Sequence, residues 1–577
     1  MSIKRQLKSI KMIMDILSPD KRLTPALPLC TQKTVQRKSE DKHGNDFPYV
    51  LPEDEGVNTR YIKEYIEALK SVRTIDLHNI MILRHGKIIW QQSFHGYEAG
   101  IWHECYSLSK TITGIAVGFL QEEGLLNIGE SISDIFAEDI TKHQYNARKN
   151  VTVKHLLNMQ SGVLFNESSS LNEPDWIKGY FDAIAIKKAG KIFYYDSMNS
   201  FMLSAIVKKK TGINMMEYLK PRLWQPLDIT DVCWELSPCG IEKGGWGLYL
   251  TLYDAAKLGQ LFLNGGKWKG QAVIPVNIIN NMLAEKVSVP SWMGDYDYGR
   301  QIWVGREDNT FLFNGIFGQN ILGFTDKDML IVSNCGNEEL GQNGPFFAIT
   351  HKYFGKTYFP SSVPLPKPAP TASNIIPNYD KNKRAAFIRF SDKIQNKKYI
   401  ITGKNTARGA LFPLISQAMH NNFSQGITNI SCLKKIVCDG KKKLPTLEIS
   451  VKENNNEYML CVTFGKVTRQ TIQIGAESYE IAVMGEVVYG KLSIRVSFLE
   501  LACSRTIDIR TKNDAESLEL VFNEIPSSRV ITKNVEMIID NVFENPKLAS
   551  AARKAFAPFS RKISSAFAPK ISAKQDN

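Results

Sequence analysis

Apolar residues at Ile112, Ile115, Ala116, Phe119 and Leu120 recur at three- and four-residue intervals, which predicts a helix with one buried face, stopped at Gly124. Upstream, two β-rich runs between Asn79 and Gln92 flank His85-Gly86 and read as a hairpin. Downstream, Val151–Gly162 predicts a short helix ended by its glycine. The aromatic stretch Gly190–Leu203 leads into a helix running to about Thr211-Gly212. A glycine-rich loop at Gly244–Gly247 opens another helix, Ala255–Leu263, with Asp254 placed to cap it or to favour its dipole. Tyr298–Trp303, Phe311–Gly318 and Asn320–Asn334 read as strands, with a turn at Asp326–Asp328. A sheet made from the early hairpin and these late strands, covered by helices, is an α+β arrangement.

The same patterning divides the 577 residues into more than one domain. Residues 1–55 form a basic N-terminal segment and 56–358 the α+β domain. The proline-rich stretch 359–378 has little that can pack and reads as an extended linker. From 379 to 540, alternating runs such as Leu447–Val451, Met459–Phe464 and Leu492–Phe498 predict a smaller, mostly β domain. Residues 541–577 read as a basic tail.

Charge changes this picture less than its sum suggests. The net charge is +14, but residues 1–42 hold ten Lys/Arg against four Asp/Glu, and residues 546–577 hold seven against one. The body between is nearly neutral and carries no recognition motif, so nucleic acid is not an expected partner. Basic ends are usually solvated; their sharper reading is weak attraction to an anionic membrane surface, helped by Ile3, Leu7, Ile10, Met14 and Leu17 on one face of a short amphipathic helix. No apolar run reaches the ~18 residues of a membrane-crossing helix, and the N-terminal basic residues are interspersed with apolar ones rather than preceding an unbroken run, unlike a signal peptide. Nine scattered cysteines fit reduced thiols in a cytoplasm better than a disulfide framework, and none has zinc-ligand neighbours, so neither a metal nor another cofactor is expected.

The candidate chemistry lies at the start of the Ile112 helix. Ser107 and Lys110 are three residues apart, one turn on one helical face, so hydroxyl and amine can meet. The positive end of the helix dipole and burial both disfavour the ammonium form. A neutral lysine can activate a serine without histidine. Ser-x-x-Lys also occurs at Ser18/Lys21, Ser39/Lys42 and Ser431/Lys434, so context and not spacing singles out Ser107.

That context is a series of further motifs at ordered intervals: Tyr195-Asp196-Ser197, the Gly244–Asp254 segment, and Phe313-Asn314-Gly315-Ile316-Phe317-Gly318-Gln319. With these, residues 60–355 resemble the serine β-lactamase and penicillin-binding-protein-like hydrolases. They look most like the class C β-lactamase-related esterases, D-aminopeptidases and 6-aminohexanoate-oligomer hydrolases. The resemblance implies an antiparallel sheet flanked by helices, and acyl transfer through a covalent serine ester. Ser107 would be the nucleophile. Lys110, or a Tyr195/Lys110 pair, would take its proton, and Tyr195 would protonate the leaving group. Backbone N–H groups of Ser107 and Ile316 would hold the oxyanion, while Ser197, Phe313, Asn314, Gly315, Gly318 and Gln319 would bound the substrate.

Two residues depart from the family pattern. Ser197 stands where an amide side chain is usual, and Phe313 where Lys or His often binds a substrate carboxylate. The expected substrate is therefore a small uncharged ester or amide rather than a β-lactam. A Ser-His-Asp hydrolase is disfavoured, since no Gly-x-Ser-x-Gly turn is present. The competing reading is a catalytically silent member of the fold serving as a binding or sensor module.

Overall fold

The computed structural model describes residues 46–165, 167–170, 173–367, 381–402, 411–420, 426–439, 442–453, 456–475, 477–533 and 546–576. The amphipathic pattern from Ile3 to Leu17 lies outside the described residues. Residues 46–55, assigned above to the basic segment, pack on the first sheet: Phe47 is in its core, and Val50 N donates to Ile88 O.

Helix α1 (Thr59–Lys70) is capped by Asn58 and leads to β1 (Leu77–Arg84) and β2 (Lys87–Ser93). His85 and Gly86 join the strands with φ of 49° and 69°, the left-handed pair that matches the twist of a hairpin. Helix α2 (Ser109–Glu122) follows a single 3-10 turn at Tyr106–Leu108, and Gly124 ends it at φ 71°. Helix α3 (Ser197–Thr211) starts at the Asp196 cap and stops at Gly212. Helix α4 (Leu252–Leu263) begins earlier than the sequence pattern suggests, because Thr251 and not Asp254 is its cap. Asp254 sits in the first turn, where its carboxylate accepts the Thr251 hydroxyl.

The Tyr298–Trp303 strand is broken in two, β3 (Tyr296–Tyr298) and β4 (Trp303–Gly305), since Gly299 N turns back to Ile302 O. Strands β5 (Thr310–Gly315), β6 (Gln319–Phe324) and β7 (Met329–Cys335) follow, then helix α5 (Pro345–Phe354). The seven strands form one antiparallel sheet in the order β3-β4-β5-β6-β7-β1-β2. Alternation decides its two faces. Met81, Leu83, Phe311, Phe313 and Ile321 face α2, α3 and α4, whereas Ile80, Ile82, Leu312 and Leu322 face α1 and α5. The linker starts by hugging this unit, with Ser361 N on Gly56 O and Leu365 N on Glu53 O; residues 368–380 lie outside the described residues.

The mostly β part opens with α6 (Lys381–Ile394), β8 (Lys397–Thr402) and the short α7 (Leu414–Met419). Strands β9 (Ile427–Asp439), β10 (Lys442–Glu453), β11 (Asn456–Thr463), β12 (Thr468–Ile474), β13 (Glu477–Val488), β14 (Lys491–Phe498), β15 (Ser504–Lys512) and β16 (Ser517–Ile525) continue it. Helix α8 (Pro546–Phe567) and β17 (Lys570–Gln575) complete it. The ten-stranded sheet runs β11-β10-β9-β8-β17-β16-β15-β14-β13-β12. It curls almost into a barrel: its two outer strands are linked where Cys461 N donates to the Gln470 side chain. The last strand of the basic tail is thus packed into the sheet. Ile571 and Ala573 alternate inward while Lys570, Ser572 and Lys574 point out, and the strand fills the gap between β8 and β16.

The two units are held together by buried groups. Both terminal guanidinium nitrogens of Arg495 meet Asp76, at 3.0 and 2.6 Å. Glu104 N donates to Glu500 O, and Trp102 and Tyr249 enter the apolar core of the ten-stranded sheet. Among the described residues no helix is long and apolar enough to cross a membrane.

Candidate active site

Ser107 is half-buried on the 3-10 turn, and Lys110 is fully buried one turn later. The Lys110 amine lies 2.8 Å from each of three oxygens: Ser107 Oγ, Ser197 Oγ and the Gly245 carbonyl. Burial lowers Lys110 to about 8, against the opposing pull of Glu167 and Asp196. A neutral amine has two N–H donors and one lone pair. The Gly245 carbonyl can only accept, and Ser197 can accept as well. The lone pair is then left for the Ser107 O–H.

Gly245 acts through its backbone, which orients the lysine from the glycine-rich loop and leaves no side-chain pattern in the sequence. Its signal is steric: a Cβ on Gly245 would come within 2.7 Å of Ser197 O, so only glycine lets this carbonyl reach the amine beside α3. Ser197 faces Lys110 rather than open space, and the neighbouring Asp196 both caps α3 and accepts from Phe165 N.

Tyr195 is half-buried, with its phenol near Ser107. Its ring lies 4.8 Å from the Lys110 amine and packs on Trp303 and Tyr298 at 5.6 and 5.9 Å, which fixes its direction. Burial pushes the phenol well above its ordinary value, and the Ser107 contact only partly offsets this. At neutral pH Tyr195 is therefore a proton donor, not a phenolate.

Strand β5 ends against the segment that carries Ser107. A Cβ on Gly315 would lie 2.2 Å from Cys105 O, so the glycine permits an approach that brings Ile316 beside the turn at Tyr106–Leu108. The backbone on both sides is strained. Tyr106, just before Ser107, has φ 47°, and Phe317, just after Ile316, has φ 67°. Such conformations in bulky residues cost on the order of 1–3 kcal/mol each. The two rings meet edge to face at 5.2 Å.

Four of the residues expected at the substrate make contacts within the protein. Phe313 is fully buried on the α4 face, 4.8 Å from the Phe262 ring, because the alternation that turns Leu312 to one core turns Phe313 to the other. Asn314 is spent on Asn320 and Gln342. Gln319 is buried and donates to Cys335 O, bracing the turn after β5. Gly318 serves that turn too, at φ 92° with Asn337 packed against it.

Among the described residues, Glu104, Glu235 and His420 have side-chain atoms close enough together to converge on a metal ion. The position next to Glu235 is already taken by the Lys243 ammonium, 2.5 Å away. His420 Nδ1 lies 2.9 Å from Glu235 Oε1, and its Nε2 is 3.5 Å from Glu104. Burial alone would lower the His420 imidazole, but Glu235 and Glu104 outweigh it and raise it, while burial lifts the Glu104 carboxyl to about 7. The group is a buried polar tie between the two units.

Residues 73–333 match the family model described as Beta-lactamase. Over that stretch, just under half of its length, the chain is similar to the Beta-lactamase family. It is 25% identical over 280 residues to the 6-aminohexanoate-dimer hydrolase of Paenarthrobacter ureafaciens, covering 44% of this chain and 70% of that one. It is 27% identical over 169 residues to Protein flp of Staphylococcus aureus (strain MRSA252); the match takes in 26% of this chain and 33% of that protein's length. A penicillin binding protein from Bacillus halodurans superposes with a TM-score of 0.41 at 17% identity, over 51% of this chain and 100% of that structure.

Proposed function

We propose that this protein is a serine hydrolase that cleaves a small ester or amide through an acyl-serine intermediate. The observation that carries the reading is the buried Lys110 amine, 2.8 Å from Ser107 Oγ and held from behind by Ser197 and Gly245. Ser107 Oγ adds to the substrate carbonyl carbon while its proton moves to Lys110. The carbonyl oxygen becomes an oxyanion, held by the backbone N–H groups of Ser107 and Ile316; one such donor is worth about 3–4 kcal/mol. As the C–O or C–N bond breaks, the leaving oxygen or nitrogen takes the Tyr195 proton, which Lys110 replaces. Water then adds to the acyl carbon by the same route in reverse, and Ser107 is released with its proton restored.

The raised Tyr195 phenol favours Lys110 alone as the base, with Tyr195 as donor. A relative named as a hydrolase supports the reaction class. With Phe313 in the core, its lack of charge no longer bears on the substrate, an ester or amide. The test is pre-steady-state hydrolysis of a short-chain chromogenic ester by wild type and Ser107→Ala. A Ser107-dependent burst followed by turnover supports the reading. No release from wild type, across esters and anilides, transfers the weight to a non-catalytic binding module.

A further inference from the structure

Tyr106 and Phe317 flank the two backbone N–H groups assigned to the oxyanion, and both are in the left-handed region that bulky residues avoid. A strained backbone persists only where its surroundings over-determine it. Here the surroundings come mostly from the other unit. The apolar cluster around Tyr106 and Phe317 is completed by Leu414 and Ile415 of α7, Ala502 and Cys503 of the β14–β15 loop, Val530, and Phe567 of α8. The Ile316 side chain packs against the same cluster.

Helix α7 is itself held at both ends. Leu414 N donates to the buried Glu524 carboxylate of β16. His420, just past its last turn, reaches the Glu104–Glu235 pair. Glu104 lies two residues before Tyr106, so this polar tie and the apolar cluster grip the same segment of chain from neighbouring points. A Cβ on Gly336 would meet Ala502 O at 2.6 Å, which shows how closely that loop sits on the end of the first sheet.

We infer that α7 is a positioning element for catalysis: Leu414 and Ile415, anchored through His420, hold the strained Tyr106–Phe317 pair and so set the distance between the Ser107 and Ile316 N–H groups. The inference rests on the hydrolase reading and gives the C-terminal unit a role in it. Leu414 and Ile415 touch no reacting atom; they act through Tyr106 and Phe317. Losing them would loosen the oxyanion site, which lowers kcat more than it raises KM, because that site binds the tetrahedral state more strongly than the substrate.

The experiment uses the full chain with a chromogenic ester and compares wild type, Ser107→Ala, Ile415→Ala, Ile415→Leu and Val496→Ala. Val496 is buried in the ten-stranded core, away from the cluster, and serves as a control for destabilisation alone. Expected is a fall in kcat of about tenfold or more for Ile415→Ala with KM within about twofold. Ile415→Leu should recover most of the rate, and Val496→Ala should keep kcat despite a lower Tm. Unchanged kcat in folded Ile415→Ala, or an equal loss in Val496→Ala, overturns the inference while leaving the hydrolase reading intact. No Ser107-dependent turnover in wild type overturns that reading, and this inference with it.

Discussion

The Lys110 amine stands 2.8 Å from Ser107 Oγ, with Ser197 Oγ and the Gly245 carbonyl at the same distance on its other sides. Two acceptors behind the amine and one hydroxyl in front give the neutral form a single orientation. Burial makes that form accessible near pH 8.

The rate should therefore follow the deprotonation of Lys110. Below about 8 the amine is protonated and cannot take the Ser107 proton, so kcat/KM should rise about tenfold per pH unit from pH 6 and level off above 8. A pH–rate profile on a neutral ester measures this. A flat profile between pH 6 and 9 would exclude lysine as the base.

Holding this lysine has a cost in stability. The folded state disfavours its proton and the unfolded chain does not, so the penalty is full below about 8 and fades as pH rises toward the ordinary lysine value. Lys110→Met should abolish turnover yet leave Tm at pH 7 no lower than wild type, because a penalty on the order of 3 kcal/mol is relieved. Thermal melts beside activity assays decide it; an unfolded Lys110→Met would mark the residue as mainly structural.

Gly245→Ala adds a Cβ within 2.7 Å of Ser197 O, which must push the loop or α3 away. The expected result is a loss of kcat of at least tenfold at a stability cost of about 1–3 kcal/mol, typical of overpacking. Ser197→Ala removes one acceptor without a clash and should be milder, with a stability change of no more than about 1 kcal/mol. Steady-state kinetics and melts of both variants would test the order; a more damaging Ser197→Ala would reverse our account of what holds the amine.

Asp76→Asn should separate the two units energetically. Asp76 is nearly enclosed, and although burial alone would raise it, Arg495 and His78 hold its carboxyl below the usual carboxylate range. Its contribution is present above the unfolded carboxylate value of about 4 and is lost as pH falls further. Removing the charge strands Arg495, at about 3–5 kcal/mol. Denaturation at pH 7 should register that loss, and a variant as stable as wild type would show that the pair contributes nothing.

Much of this arrangement was legible in the sequence because it rests on local pattern. The helical period after Ser107, the left-handed pair His85-Gly86 and the stop at Gly212 each act within a few residues, and each element forms where its pattern lies. What sequence reasoning missed depends on neighbours distant in the chain. Phe313 aligned with a motif position, yet strand alternation and the packing of Phe262 turn it into the core. Gly245 contributes through a carbonyl, which no side-chain pattern reveals. The last thirty or so residues looked like a basic tail because their charge is conspicuous, while the inward alternation of Ile571 and Ala573 is only two residues long. The pairing of Tyr106 with Phe317 across more than two hundred residues has no sequence signal.

The most direct measurement is intact-protein mass spectrometry after brief mixing with an activated short-chain ester, followed by peptide mapping. The account predicts a mass gain of one acyl group on wild type, located on Ser107, decaying as product forms. The same mixing should give no adduct on Ser107→Ala. An adduct that maps to another residue, or a wild type that turns over ester without ever carrying the acyl group on Ser107, would contradict it.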